Sequence, residues 1–351
     1  MKILHSADLH LDTPFTGRNR DQAQFLQQQL LRVPYLLADL CRKEACDLVL
    51  LSGDLFDDPK SRNSFRTLAG ALEECQVPVF ISPGNHDYVN LNSPYVTEQW
   101  PSNVHIFTSP QPNSRLLPEL DCRIYGAGYR SMDCGSLLDS FQRKEDAKYH
   151  IGVLHGDPTQ ADSPFCPVTA GQIRDSGLDY LALGHIHQRG GMRQGRTLCA
   201  WPGCPMGRGF DETGTKGALI VTLDTTAEAA FVPLDTVRFF DETASASALS
   251  RLLPGVSSQD FYRITLTGEG DTPSLSQLYQ QYAQLPHLEL RDHRTSPVEL
   301  WGDIQADTLE GTYFRILKDA LSGADEDTGE IINLAARISR QLLEGQEVQL
   351  P

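Results

Sequence analysis

The chain has 351 residues, 40% hydrophobic, 22% charged and 8% aromatic, which excludes a largely disordered, fibrous or membrane-spanning protein. Its 46 acidic residues against 30 basic ones give a net charge of −16, so the overall field repels nucleic acid. Any nucleic-acid role then needs a local basic patch, metal ions or a basic partner. No apolar run approaches the ~18 residues of a membrane helix, and Asp8 interrupts the N-terminus before a secretory core forms. These features predict a cytoplasmic protein without membrane contact. The eight cysteines include no C-x-x-C pair, which predicts reduced, mostly buried thiols.

In chain order, Ile3-Leu4 opens a short strand. Residues 21–45 carry Phe25, Leu26, Leu30, Leu31, Tyr35, Leu36, Leu37 and Leu40 at helical spacing, with a new helix predicted to start at Pro34. A strand at 48–51, a helix at 64–75 and a strand at 77–81 follow, then strands at 151–154 and 180–183, each too short for a helix. This alternation predicts an α/β layered domain whose site lies in the crevice beyond the carboxyl ends of the strands. Runs at 198–201, 218–223 and 230–234 predict a mostly antiparallel second sheet. After Asp235 a helix at 244–253, a break at Pro254-Gly255, a strand at 261–267, a helix at 274–285 and a strand at 287–291 predict a small α+β unit. From Trp301, helices at about 307–321 and 328–344 flank an acidic turn at 323–327, in a stretch with ten acidic and four basic residues.

Five turns that follow the first-half strands carry the chemistry: Asp8-Leu9-His10, Gly53-Asp54, Gly84-Asn85-His86-Asp87, His155-Gly156-Asp157 and Gly184-His185-Ile186-His187. Each alone is an ordinary turn. Together they hold five of the ten histidines at one end of predicted parallel strands. Carboxylates, imidazoles and one amide, without a thiolate, suit two hard-to-borderline divalent cations. Two such ions ~3.5–4 Å apart need a bridging carboxylate, and jointly they activate water against phosphorus while neutralising phosphate charge. Asp54 suits the bridge. Asp8 and His10 alternate along one stretch and reach one ion; Asn85, His155 and His185 surround the other, and His187 turns back to the first.

The ordered set D-x-H, G-D, G-N-H-(D/E), H and G-H-x-H resembles the calcineurin-like metallophosphoesterase superfamily. Within it, His5-Ser6-Ala7-Asp8-Leu9-His10-Leu11-Asp12, Gly53-Asp54-Leu55-Phe56-Asp57 and Pro83-Gly84-Asn85-His86-Asp87 are similar to the SbcD-type DNA-repair exonucleases, most nearly their YhaO-like variant. The segments Trp201-Pro202-Gly203-Cys204-Pro205 and 207–217 look like the stretch that closes the catalytic domain in that group. The resemblance implies an α/β fold, a four-layer αββα metallophosphoesterase sandwich over 1–235, with a small α+β cap at 236–300 and a helical C-terminal tail at 301–351. It implies that Asp8, His10, Asp54 and His187 hold one metal and that Asp54, Asn85, His155 and His185 hold the other. Mn²⁺ is preferred, and Fe²⁺, Co²⁺ or Zn²⁺ accept similar ligands. It implies that His86 is no ligand but protonates the leaving oxygen.

The function so implied is two-metal phosphodiester hydrolysis by a DNA exonuclease or endonuclease subunit in repair, beside an SbcC-like coiled-coil ATPase, with a homodimer also allowed. The same site serves a phosphodiesterase or phosphatase for a small nucleotide or phosphoprotein, and a regulatory or scaffolding subunit of the ATPase is a further alternative. Apolar faces that include Leu309, Ile316, Ile331 and Leu342 either dock that partner or pack on the protein's own cap. Arg208, in a Gly-rich turn, is the expected substrate contact, whereas Arg18, Arg20, Arg130 and Arg189 either meet a phosphate backbone or are solvated. Tyr88 either stacks on a base or sugar or is a half-buried structural residue. Asp87 either orients His86 or caps a helix. Asp12 and Asp57 are taken as turn or capping residues.

Overall fold

Short apolar runs punctuated by polar turns become two stacked sheets in the computed structural model, which describes residues 1–57, 62–139, 141–253, 256–268, 270, 273–295 and 300–343. The first sheet is built on three parallel strands, β1 (Lys2–Ser6), β2 (Leu48–Leu51) and β3 (Val79–Ile81), extended by β4 (Val104–Ile106). Helices α1 (Arg20–Lys43) and α2 (Arg62–Glu74) make the crossovers between them, as parallel neighbours require. The second sheet is parallel through β6 (Cys122–Gly126), β7 (Tyr149–His155), β8 (Tyr180–Gly184) and β10 (Thr197–Trp201), with antiparallel edges β5 (Asn113–Leu117) and β9 (Gly190–Gln194). Ile3, Leu50 and Phe80 of one sheet and Ile124, Val153 and Tyr180 of the other form the core between them. Helices cover the outer faces: α1 buries Leu26, Leu30, Val33 and Leu37, and α4 (Ala170–Asp175) sets Ile173 against Leu154, Leu181 and Leu183. The result is the expected four-layer αββα arrangement.

Three local expectations are corrected. The late strands do not make a sheet of their own: β10 joins β8, while β11 (Gly217–Leu223) adds antiparallel to β1 and β12 (Ala227–Pro233) antiparallel to β11. A buried β1 with one unpaired edge would leave backbone groups unsatisfied, and β11 supplies their partners. Pro34 does not start a new helix but lies inside α1. A helix-interior proline forfeits one backbone bond, and the apolar face that continues on both sides of Pro34 holds the helix together across it. Residues 239–245, partly assigned to a helix by sequence, form β13 (Phe239–Ser245), followed by only one short helix, α5 (Leu249–Leu252). Its mostly exposed pattern reflects a sheet-edge position, in the order β13-β14-β15 with β14 (Phe261–Thr267) and β15 (Leu288–Asp292).

The chain divides into two units, Met1–Phe240 and Asp241–Pro351. In the second, α6 (Leu275–Gln281) starts at a capping box of Ser274 and Gln277. Helices α7 (Leu309–Leu321) and α8 (Glu326–Leu343) close on Trp301, Phe314 and Ala336, and Arg340 lies 4.3 Å over the Phe314 ring. The Pro254-Gly255 break and the helix end at Glu344 lie outside the described residues. All eight cysteines are free thiols, and only Cys134 is not buried. Among the described residues no helix is long and apolar enough to cross a membrane.

Leu50 is fully buried on the central strand β2, so Leu50→Ala should destabilise the first unit by about 2–5 kcal/mol. An unfolding free energy from urea titration that stays within about 0.5 kcal/mol of wild type would contradict this inter-sheet core.

Candidate metal centre

Every candidate ligand lies at the carboxyl end of a parallel strand. Asp8 and His10 follow β1, Asp54 follows β2, and Asn85 and His86 follow β3. His155 is the last residue of β7, and His185 and His187 follow β8. The turns are strained: Asp8, His10, Asp54 and His185 have φ of 53°, 46°, 50° and 97°, a left-handed conformation that costs about 1–3 kcal/mol per non-glycine residue. Cross-turn bonds hold them there, with Asp8 N donating to Gly53 O at 3.0 Å and His10 N to Asp54 O at 2.9 Å. Gly53 must be glycine twice over, since its φ is +86° and a Cβ would stand 2.6 Å from His155 Nδ1. At Gly184 a Cβ would collide with the Ser52 carbonyl, which keeps the two sheets in contact below the site.

Hydrogen bonding fixes which ring nitrogen each histidine offers. His155 Nδ1 is 2.8 Å from the Ser52 carbonyl oxygen; a carbonyl only accepts, so Nδ1 carries the proton. His10 Nδ1 donates to Asp57 Oδ1 at 2.7 Å and His187 Nδ1 to Glu212 Oε1 at 2.7 Å. Nε2 of each ring is then the atom that faces inward and the one left to bind a cation. His10 Nε2 lies 3.1 Å from His187 Nε2, and His155 Nε2 lies 2.9 Å from Asn85 Oδ1 and 3.3 Å from Asp54 Oδ2. Ligand atoms packed this closely need positive charge among them, a proton on His155 in the metal-free pocket or a metal ion in its place, so the donor set fits divalent metal.

The local field agrees. Asp8, His10, Asp54, Asn85 and His155 are all buried. Burial opposes ionisation of Asp54, but His155, His10 and His86 outweigh it and hold the carboxyl below the usual range. Burial likewise disfavours charge on His155, yet Asp54 and Asp8 push its pKa up to about 9, as expected of a pocket that attracts positive charge. Beside it, Asp57 takes hydrogen bonds from His10 and His86 that overcome its own desolvation and hold its carboxyl well below the ordinary value. His86 Nδ1 is 3.3 Å from Asp57 Oδ1, and this bond is the largest influence raising the His86 pKa. The His86 side chain is 46% exposed, facing outward where the ligand atoms are enclosed.

Three groups bring candidate ligand atoms within 4.8 Å of one another: Asp8, His10 and His187; Asp8, Asp54 and His155; and His10, Asp54 and His86. Asn85 joins the second through His155. His185 stands outside these groups: its backbone N donates to both Asp8 oxygens at 3.0 and 3.1 Å, and its ring packs against His155 and Phe165. Asp57, expected as a turn or capping residue, sits in a bend and is also the common acceptor for His10 and His86, a role marked in the sequence only by its being the second acid of Gly53-Asp54-Leu55-Phe56-Asp57. Asp87 neither orients His86 nor caps a helix. It accepts from Leu55 N at 2.7 Å, Gly84 N at 2.8 Å and the Tyr95 hydroxyl, bracing two ligand turns. Arg208 spends Nε and Nη2 on Glu212, and Tyr88 is half-buried against the second sheet's outer core. Glu212, which the sequence did not single out, sits inside the Gly-rich closing segment.

Residues 1–189 match the family model described as calcineurin-like phosphoesterase. An uncharacterized metallophosphoesterase of Bacillus subtilis, YhaO, is 34% identical over 238 residues, 63% of this chain and 57% of its own length. The SbcD component of the nuclease SbcCD from the same organism is 24% identical over 270 residues, 63% of this chain and 66% of its own. The DNA double-strand break repair protein Mre11 of Aeropyrum pernix is 24% identical over 247 residues, 62% and 56% of the two chains. The chain thus matches less than two thirds of the length of each of these relatives.

Asp54→Asn keeps the shape but removes the charge between the His155 and His10 sides, and should loosen bound Mn²⁺ at least tenfold; unchanged metal content by elemental analysis would remove Asp54 from the bridge. Because His155 holds a proton below about pH 9 in the metal-free pocket, metal must displace it. Mn²⁺ affinity should therefore rise by up to about tenfold per pH unit between pH 6 and 8, and a pH-independent affinity by calorimetry would contradict this.

Proposed function

Because the chain belongs to the calcineurin-like phosphoesterase family, we propose that it is a two-metal phosphodiester hydrolase acting on DNA, as the exonuclease or endonuclease subunit of a repair complex. The observation that carries the reaction class is the convergence of inward Nε2 atoms with Asp54 and Asn85, beside an outward-facing His86. Asp8, His10 and His187 would hold one ion and Asn85, His155 and His185 the other, with Asp54 shared. Bound divalent ions, Mn²⁺ by preference, supply positive charge against the phosphate oxygens and make a water nucleophilic.

The remaining chemistry belongs to the protein's own groups. Asp57 orients His86 through Nδ1, which leaves Nε2 to carry a proton outward, and the same hydrogen bond raises the His86 pKa and so favours the protonated ring. The His86 backbone N donates to Asp54 Oδ1 at 2.9 Å, so the acid and the bridging carboxylate move as one unit. His86 delivers the proton to the leaving oxygen, and Arg208 meets the phosphate with the part of its guanidinium not spent on Glu212. Tyr88 flanks the same turn and is assigned to the sugar or base.

The DNA reading is supported by the similarity to the SbcD component of SbcCD and to Mre11. With a net charge of −16, the chain would take most backbone contacts from a partner, an SbcC-like coiled-coil ATPase in the cytoplasm. Phe314 and Ala336 are spent on the local core, whereas Leu309, Ile316, Ile331 and Leu342 stay exposed and would form the docking face. The negative charge repels a small nucleotide diester less than it repels a polyanionic duplex, and such a diester is the second reading. Turnover of linear duplex DNA against aryl phosphodiesters and cyclic nucleotides, with and without the co-purified partner, separates the two; hydrolysis of cyclic nucleotides alone would overturn the DNA assignment.

His86→Ala should lower kcat by about 10²-fold or more while metal content stays unchanged. The loss should shrink for a nitrophenolate leaving group, which needs no proton. Loss of metal, or equal damage with both kinds of leaving group, would take His86 out of the acid role.

A further inference from the structure

The segment between β10 and β11 lies beyond the family match, which ends at residue 189, yet it sends a carboxylate into the metal centre. Glu212 is only 6% exposed. One oxygen, Oε1, takes the proton of His187 Nδ1 at 2.7 Å and also accepts from Arg208 Nη2 at 2.7 Å. The other, Oε2, accepts from Arg208 N at 2.8 Å and Arg208 Nε at 3.2 Å. The loop is drawn tight around this cluster, with Glu212 N donating to Gly209 O at 3.1 Å. At Gly207 a Cβ would press to 2.6 Å of the Glu212 carbonyl oxygen, so the backbone there is closed to other residues.

A buried carboxylate this well satisfied could serve only to fold the loop. Two features point further. Its partner is the one nitrogen of His187 that does not face the ligand cluster, and a hydrogen-bond acceptor at that atom fixes both tautomer and ring direction. In addition, Arg208 Nη1 stands 3.6 Å from Asp57 Oδ2. Arg208 therefore lies between the carboxylate that pins His187 and the carboxylate that pins His10, on the same side of the cluster.

We propose that Glu212 is a positioning residue for one of the two cations: it holds the proton on His187 Nδ1 so that Nε2 faces Asp8 and His10, while Arg208 supplies the countercharge that allows the carboxylate to be buried. This rests on the two-metal reading above. His187 groups with Asp8 and His10 and not with Asp54 and His155, so the influence of Glu212 falls on one ion and spares the other. The closing segment is then part of the metal centre, and Arg208 is first a partner of Glu212 and only second a contact for phosphate.

Calorimetric Mn²⁺ titration of the full chain tests this in wild type, Glu212→Ala, Glu212→Gln, His187→Ala and the Glu212→Ala/His187→Ala double variant, with metal-free melting temperatures alongside. Glu212→Ala should weaken one ion by about 10–100-fold and leave the other within about twofold. Glu212→Gln should lose less at the same ion, since its amide oxygen still accepts from Nδ1. In the His187→Ala background Glu212→Ala should add nothing, because Glu212 acts through that ring. Equal weakening of both ions with a lowered metal-free melting temperature, or additive losses in the double variant, would mean that Glu212 only folds the loop. If the Ala variant does not fold, the Gln variant carries the test, and a Gln affinity equal to wild type at both ions overturns the proposal. If the wild-type chain binds fewer than two Mn²⁺, the two-metal reading itself fails; if it binds two but His187→Ala leaves both tight, or His187→Ala releases one ion and Glu212→Ala releases none, only the assignment of Glu212 fails.

Discussion

The crowding of ligand atoms that need positive charge among them is the constraint on which the site depends. His10, His155 and His187 each donate a hydrogen bond from Nδ1 to an outward acceptor, Asp57, the Ser52 carbonyl and Glu212 respectively, and so must turn Nε2 toward one another and toward Asp54. In the metal-free protein a proton on His155 relieves that crowding, and the fold imposes the arrangement through strained turns at Asp8, His10, Asp54 and His185. The backbone ladder from the first turn to the second, and the glycines that let His155 and Ser52 approach, are the means by which two sheets hold the acceptors together. Unfavourable geometry maintained by surrounding structure is the ordinary condition of a site built for a ligand.

The architecture follows from the same requirement. Parallel strands place their carboxyl ends side by side, and two such sheets stacked face to face bring five turns to one place. The core between them, from Ile3 and Leu50 to Val153 and Tyr180, fixes their separation. His5 adds a polar tie within that core: Nδ1 meets the Tyr180 hydroxyl at 2.7 Å and Nε2 meets Ser52 Oγ at 2.9 Å. Burial drives the His5 pKa down to about 3, so the tie stays neutral across physiological pH. The backbone of Ser52, held there, is what receives His155.

The layered fold and the five polar turns were legible because buried parallel strands read as short apolar runs and ligand turns carry uncommon residues at fixed spacing. What escaped the sequence has physical reasons. Strands β4, β5 and β9 are short or exposed sheet edges, and β6 hides because Arg123 interrupts its apolar run while pairing with Asp146. The partition of β10, β11 and β12 between two sheets depends on which edges are left open, which is a long-range property. Asp57, Asp87 and Glu212 look like turn acids in the sequence; only tertiary structure shows that one serves two histidines, one braces two turns and one pins His187. Pro34 shows the converse case, where a strong local signal yields to an apolar face that continues across it.

The central claim is that the acceptor cluster holds two cations close together. Electron paramagnetic resonance of the Mn²⁺-saturated chain measures this most directly, because ions ~3.5–4 Å apart and sharing a carboxylate are exchange-coupled. The account predicts two Mn²⁺ per chain with the multiline spectrum of a coupled pair. A single ion per chain, or two ions that give only the six-line spectrum of isolated Mn²⁺, would contradict it.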